Sequence, residues 1–405
     1  MVLIGSLIKM VWFVVQTRRA KWVISVIALL ASSMLSVWMM MLPHPAVPAA
    51  PVDRDQLKGW LNSIVSSQAA TAISITVIHN GEVAWEMASG TANPYRDQET
   101  TPQTRYHIWS VTKLATALTI LTLAEDQQLD LDLPVTDILP WLDIYEDTEN
   151  RMTTRDLLRH TSGLQDTVPA VFGWLQYDEN LPNQTEFLRQ RMPDYRDLSF
   201  QPGTNRSYSN LGYMLLGAII EQQTGKAYED EVYERVLEPA GMTSSGFAFG
   251  APQTANEALG SHPLAHFFTP ILPFFADLND LVRERDGRIW WLNRVYIKAT
   301  PPTGLIASAR DAARLGAAAM EGGPVLQSED TVRLMIAPEP KNFSLGWFER
   351  DAEAQWLQHR GGGPGFAAVV RVYPAQGLSI AVLASGTDAP VVEIADVVAR
   401  SFGRE

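Results

Sequence analysis

The Asn80-Gly81 pair constrains this chain most. It joins two stretches of strand character, residues 72–79 and 82–88. A two-residue Asn-Gly connection is a strong hairpin signal, because such turns need a left-handed backbone that these residues tolerate. Two further strands, 366–373 and 378–384, flank Pro374-Ala375-Gln376-Gly377 near the other end. A lone hairpin is barely stable in water, so the early and late strands are expected to share one sheet. Between them, residues 111–125, 154–159, 211–224 and 228–237 show helical spacing of apolar positions. Ser308 and Asp311 form a capping-box pattern before a helix over 312–320, and 389–402 closes the chain as a helix. Strands at both ends with helices between them predict an α+β fold: an antiparallel sheet from the N- and C-terminal segments, flanked by helices, with a helical insertion.

The amino end is a separate matter. From Trp22 to Leu42 every residue is apolar or Ser. As a helix that run spans roughly 31 Å, close to a bilayer's hydrocarbon core. Arg18, Arg19 and Lys21 precede it, which keeps that end cytoplasmic and sends the body across. An uncleaved anchor over 1–42 is the expectation, with a cleaved signal peptide near Pro48-Ala49-Ala50 as the alternative. Both put the body outside the cytoplasm, periplasmic or extracellular. Pro43, Pro45, Pro48 and Pro51 make 43–55 a stiff spacer, leaving 56–405 as the folded domain.

A hydrophobic fraction of 46% against 19% charged residues lets that domain bury a sizeable core. The whole chain carries −13, and its first fifty residues hold four basic and no acidic residues, so the body is more acidic still. Such a surface is repelled by phosphate backbones, which argues against a nucleic-acid partner. With no cysteine there is no disulfide framework and no thiolate chemistry. Residues 261–300 are strongly apolar, from His266 through Phe275 and again at Ile289-Trp290-Trp291-Leu292. They read as a buried packing segment, as a lid over a cleft, or as a patch dipping into the nearby membrane.

The chemistry concentrates in three places. Ser110-Val111-Thr112-Lys113 opens the first long helix, where three-residue spacing puts hydroxyl and amine on one face. A serine hydroxyl needs a neighbouring base, and a desolvated amine can serve. The pattern alone is weak, since Ser6-Leu7-Ile8-Lys9 repeats it inside the apolar amino end. Tyr208-Ser209-Asn210 lies just before the helix over 211–224, and no other of the eleven tyrosines has Asn two positions later. A phenol there can relay a proton and the amide can orient a substrate. Finally, His359-Arg360-Gly361-Gly362-Gly363-Pro364-Gly365 reads as a loop before a late strand, whose glycines let a substrate approach backbone N–H groups.

In these motifs the chain resembles the serine β-lactamase and penicillin-binding-protein-like hydrolases, in the class C branch with its esterase and D-aminopeptidase relatives. His160-Thr161-Ser162-Gly163-Leu164, Pro239-Ala240-Gly241-Met242 and Thr303-Gly304-Leu305-Ile306-Ala307-Ser308 look like that family's connecting segments. The resemblance implies a β-lactamase/transpeptidase-like fold, with Ser110 as nucleophile, Lys113 as activating amine and Tyr208 as acid/base partner. It implies Asn210, His359, Gly361 and Gly362 as substrate-binding residues, with the backbone N–H groups of Ser110 and Gly362 holding the oxyanion. Where the family carries Lys-Thr-Gly, this chain reads His359-Arg360-Gly361, as in relatives that are inefficient β-lactamases. The expected function is therefore a serine hydrolase acting through an acyl-enzyme on a small ester, amide or peptide, without metal or other cofactor. The alternative is a membrane-tethered sensor that is acylated and turns over slowly. No Gly-x-Ser-x-Gly elbow supports an α/β-hydrolase. His262 and His266 stand four apart, but Pro263 and apolar neighbours argue against a metal site there.

Overall fold

Strand β1 (Ala72–His79) turns into β2 (Glu82–Asn93) through Asn80 and Gly81, whose φ angles are +50° and +83°. Both lie in the left-handed region that the hairpin signal required. A computed structural model of the chain describes residues 45–402, apart from 50, 146, 148, 166–173, 179, 181, 248–255, 267–268, 271, 275 and 338–343. The expected anchor over 1–42 falls outside the described residues. Among the described residues no helix is long and apolar enough to cross a membrane.

The late strands join the early ones as expected. Besides β1 and β2, the main sheet holds β3 (Gln98–Glu99), β4 (Glu349–Asp351), β5 (Trp356–Gly363), β6 (Phe366–Tyr373) and β7 (Leu378–Ser385). Its order is β4-β5-β6-β7-β1-β2-β3, with antiparallel neighbours throughout. The seam between the chain's two ends runs from Ala72↔Ser385 to His79↔Leu378.

Alternation along β1 and β7 feeds two cores. Ile73, Ile75, Val77, Ile380 and Val382 meet helix α1 (Arg54–Ser66) and the closing helix (Val391–Phe402) on one face. The opposite face meets a helical layer built on α2 (Thr112–Glu125), α3 (Asn210–Thr224) and α4 (Ala309–Ala318). Helices on both faces of an antiparallel sheet make this an α+β fold of three layers.

Several boundaries differ from expectation for local reasons. The expected spacer ends early, because Asp53 and Gln56 form a reciprocal capping box that starts α1. Ser308 caps α4 by accepting from Asp311 N, but the Asp311 carboxylate accepts from Ser244 N at 2.7 Å and Ser245 Oγ at 2.9 Å. Only half of that capping box forms. The expected helix over 228–237 is α-helical through Val232 and then widens to a π turn over Tyr233–Leu237. The glycine loop expected after His359 is instead the end of strand β5, paired through Gly363↔Phe366. Glycine weakens strands, so nothing local announced this one.

Residues 261–300 supply a small sheet of Ser261–Pro263, Ile289–Leu292 and Val282–Asp286, in that order. Ser261 N donates to Gly365 O and Thr387 N to Ser261 O, which ties this sheet to both ends of the β6–β7 hairpin. Trp290 and Trp291 are buried, as a packing segment requires.

Candidate active site

Ser110 sits on a single 3-10 turn, Trp109–Val111, immediately before α2. Trp109 has φ +47°, a strained value for a bulky residue. The strain is held from several sides. His107 stacks on the indole with centroids 4.1 Å apart, and Thr112 Oγ1 donates to Trp109 O at 2.6 Å while accepting from Leu305 N. Strand β5 presses on the same turn. A Cβ on Gly361 would stand 2.0 Å from Ile108 O, and one on Gly363 would stand 2.5 Å from the Trp109 ring. Side chains at either position would push the nucleophile turn away. Gly362, between them, faces open space instead.

Lys113 is fully buried one turn along α2. Burying an ammonium is costly without partners. Here Nζ donates to Asn210 Oδ1 at 2.8 Å, Pro302 O at 2.9 Å and Ser110 Oγ at 3.3 Å. The ring faces of Tyr208 and Tyr213 lie 4.8 and 5.4 Å away. The Tyr208 hydroxyl donates to Ser110 Oγ at 2.7 Å. Thus the three residues assigned to catalysis converge on one oxygen, and Asn210 meets them through Lys113.

Tyr208 owes its place to the start of α3. Ser209 caps that helix by accepting from Gly212 N, and Ser209 N donates to His160 Nδ1 at 3.1 Å. His160 also packs its ring on Tyr208, and Phe348 closes edge-on at 4.8 Å. Burial first, then the nearby Lys113 charge, pushes the His160 pKa well below its ordinary value. A neutral ring with an acceptor nitrogen is what the Ser209 N–H requires. Neither His160 nor Phe348 stood out as a site residue, because nothing local distinguishes a histidine or phenylalanine that braces a tyrosine from elsewhere in the fold.

His359 is buried in β5, and burial with the Lys113 charge pushes its pKa down to about 3. Its Nδ1 bonds Arg360 O at 2.8 Å, so that nitrogen carries the ring proton. Nε2 is then a bare acceptor, buried with no hydrogen-bond partner among the described residues. Arg360 alternates to the other side of the strand, is 55% exposed and pairs with Glu349. The third motif therefore holds a buried, neutral imidazole where a lysine would bring a cation.

Two cavities meet here. An inner one of about 330 Å³ is lined by Ser110, Asn210, Trp109, Leu175, Leu272, Leu281 and Leu292. An outer one of about 930 Å³ runs past Phe348, His359 and Arg360 toward Gln68 and Val391. Tyr208, Gly362, His266, Thr387 and Asp388 border both. Of residues 261–300, Trp290 and Trp291 are core, and Leu272, Leu281 and Leu292 wall the inner cavity.

Residues 57–402 match the family described as Beta-lactamase, and the chain belongs to that family. The D-aminopeptidase of Brucella canis is 31% identical over 214 residues, covering 52% of this chain and 39% of the relative. The chain thus spans about two-fifths of the length of that curated relative. The octameric penicillin-binding protein homologue from Pyrococcus abyssi shares the fold at TM-score 0.70 and 24% identity, over 87% of this chain and 78% of that one. D-amino acid amidase from Ochrobactrum anthropi, solved with D-phenylalanine, does so at TM-score 0.70 and 20% identity, over 87% and 99%. Family and fold together place the chain among the β-lactamase-related proteins, with the β-lactamase/transpeptidase-like architecture.

Proposed function

We propose that this chain hydrolyses small esters or amides with an apolar acyl group, through an acyl-enzyme on Ser110. One observation carries the reading: Ser110 Oγ borders a cavity while both Lys113 Nζ and the Tyr208 hydroxyl reach it. For attack the Lys113–Tyr208 pair first sheds one proton to solvent, leaving a phenolate beside the ammonium; Oγ then attacks the substrate carbonyl carbon as its own proton passes to the Tyr208 oxygen. The oxyanion forms against the backbone N–H groups of Ser110 and Gly362, and Asn210 orients the substrate. Tyr208 returns the proton to the departing alcohol or amine. Water then attacks the acyl-enzyme, gives its proton to the same pair, and releases the acid and free Ser110.

The acyl group fits the leucine-lined inner cavity, and the leaving group fits the wider outer one. D-amino peptides and amides belong to the candidate substrates, in keeping with the names of the Brucella and Ochrobactrum relatives. β-Lactams are expected to turn over slowly, because neutral His359 supplies no anchor for their carboxylate. The test compares kcat/KM for a p-nitrophenyl ester with that for a chromogenic cephalosporin on one preparation. A wide margin for the cephalosporin contradicts this reading. A stoichiometric burst followed by a stall, on every ester tried, favours the slowly turning sensor instead.

We further propose that the domain lies outside the cytoplasm, tethered by Trp22 to Leu42 behind the Arg18-Arg19-Lys21 cluster. Protease added to intact spheroplasts should digest it, and protection there would reverse the topology. A mature amino terminus near Ala50 would keep the compartment and remove the tether.

A further inference from the structure

Among the described residues five border both cavities, and Asp388 is the only carboxylate of the five. It follows β7 on the loop into the closing helix, with φ +59°, a left-handed value that an aspartate tolerates at some cost. Its Oδ2 accepts from His266 Nε2 at 2.5 Å, while the side chain stays 63% exposed. The His266 hydrogen bond holds the carboxylate below its usual range, so it is an anion at neutral pH.

His266 is itself fixed from the 261–300 segment. His262 lies 5.0 Å away, ring to ring, and its two nitrogens meet Thr387 Oγ1 and Thr269 Oγ1, both at 3.0 Å. Thr387 Oγ1 also accepts from Gly365 N at 2.9 Å. A strained backbone and a buried histidine thus hold one carboxylate at the mouth of the inner cavity.

The charge balance there is one-sided. Among the described residues lining the inner cavity there is no lysine or arginine. Lys113 lies behind Ser110 with no exposed surface, and its ammonium meets three acceptors. Arg288, Arg360 and Glu393 border only the outer cavity, where Arg360 is paired with Glu349. A carboxylate over an apolar pocket, partnered by an imidazole and by no lysine or arginine of the described lining, repels a substrate carboxylate and attracts a cation.

We propose that Asp388, positioned by His266, binds the ammonium of aminoacyl substrates: esters or amides whose acyl group carries a free amine and an apolar side chain. The side chain enters the pocket of Leu175, Leu272, Leu281 and Leu292 while the ammonium stays at its mouth. The inference rests on the acyl-enzyme reading and adds the substrate class to it.

The test uses the full chain and two matched esters, phenylalanine methyl ester (D and L forms) and methyl 3-phenylpropionate, which lacks the amine. The readout is the ratio of their kcat/KM values. Asp388→Asn keeps the shape and suits the left-handed backbone. It should cut the preference for the better phenylalanine enantiomer by about 10- to 100-fold, mainly through KM, as loss of a charge-assisted hydrogen bond does. His266→Gln, which loosens the carboxylate without removing it, should cut the ratio less and in the same direction. A wild-type ratio near one, or an unchanged ratio in Asp388→Asn, overturns the assignment and leaves the acyl-enzyme intact. Failure of Ser110 to take a fluorophosphonate, with neither ester hydrolysed, removes the acyl-enzyme reading and this inference with it.

Discussion

The back of the pocket and its roof are built differently. Ser110, Lys113, Tyr208 and Asn210 sit at the starts of α2 and α3, two helices whose apolar residues belong to the largest core. Their mutual distances follow from helix geometry and from the packing of those two helices. The roof comes from short strands in 261–300 and from the loop after β7, held by hydrogen bonds such as His266 to Asp388, 122 residues apart. On the proposed reading, the back decides whether a carbonyl is attacked, and the roof decides which acyl group is present when it is. Catalysis is then a short-range matter of spacing, whereas selectivity is a long-range matter of topology.

Breaking the back should have the largest effect. Lys113→Ala and Tyr208→Phe are each expected to lower kcat/KM by about 10²- to 10⁴-fold on every substrate alike, as removal of an acid/base group does. Steady-state kinetics on two unrelated esters checks this; a loss confined to one of them would move these residues from the chemistry to the binding.

Acid should weaken both halves through their buried histidines. His107 and His262 have pKa values pushed down to about 4, and His359 to about 3, chiefly by burial. In the unfolded chain the value is near 6.5. Between these limits the unfolded state binds more protons, so stability is intact above about pH 6.5 and is lost as pH falls toward about 3. Thermal melts from pH 7 to pH 4 should show a falling Tm, less steep in His262→Gln, which removes the roof's share. A flat profile would mean that these rings are not buried and neutral.

The smallest effect is expected from trimming the roof. Leu292→Ala should enlarge the inner cavity and shift preference toward acyl chains longer by one or two methylenes, by about tenfold. A series of p-nitrophenyl esters reads this directly. An equal fall for all chain lengths would place Leu292 in the framework instead of the acyl pocket.

Much of this was legible in the sequence, and its limits have a physical cause. Asn80-Gly81 and the alternating strands around it gave the sheet, because turn chemistry and two-residue periodicity are local. Ser110 with Lys113, and Tyr208 with Asn210, were visible because each pair lies within one helical turn or cap. Strand β5 was read as a loop because its glycines answer to a demand from elsewhere: room for Ile108 and Trp109. The identity of His359 was plain, but its neutrality follows from burial in the folded sheet first and from the Lys113 charge on another element second. The roof strands, three to five residues long, carry too little pattern to declare their partners. Asp388 gave no signal at all, since only the fold brings it to His266.

The central claim is that Ser110 carries the acyl group. The direct measurement is to label the purified protein with a fluorophosphonate probe, digest it, and map the modified peptide by mass spectrometry. The account predicts one adduct, on Ser110, absent from Ser110→Ala and formed about a hundredfold or more slowly in Lys113→Ala. An adduct on another residue, or labelling that persists in Ser110→Ala, would contradict it.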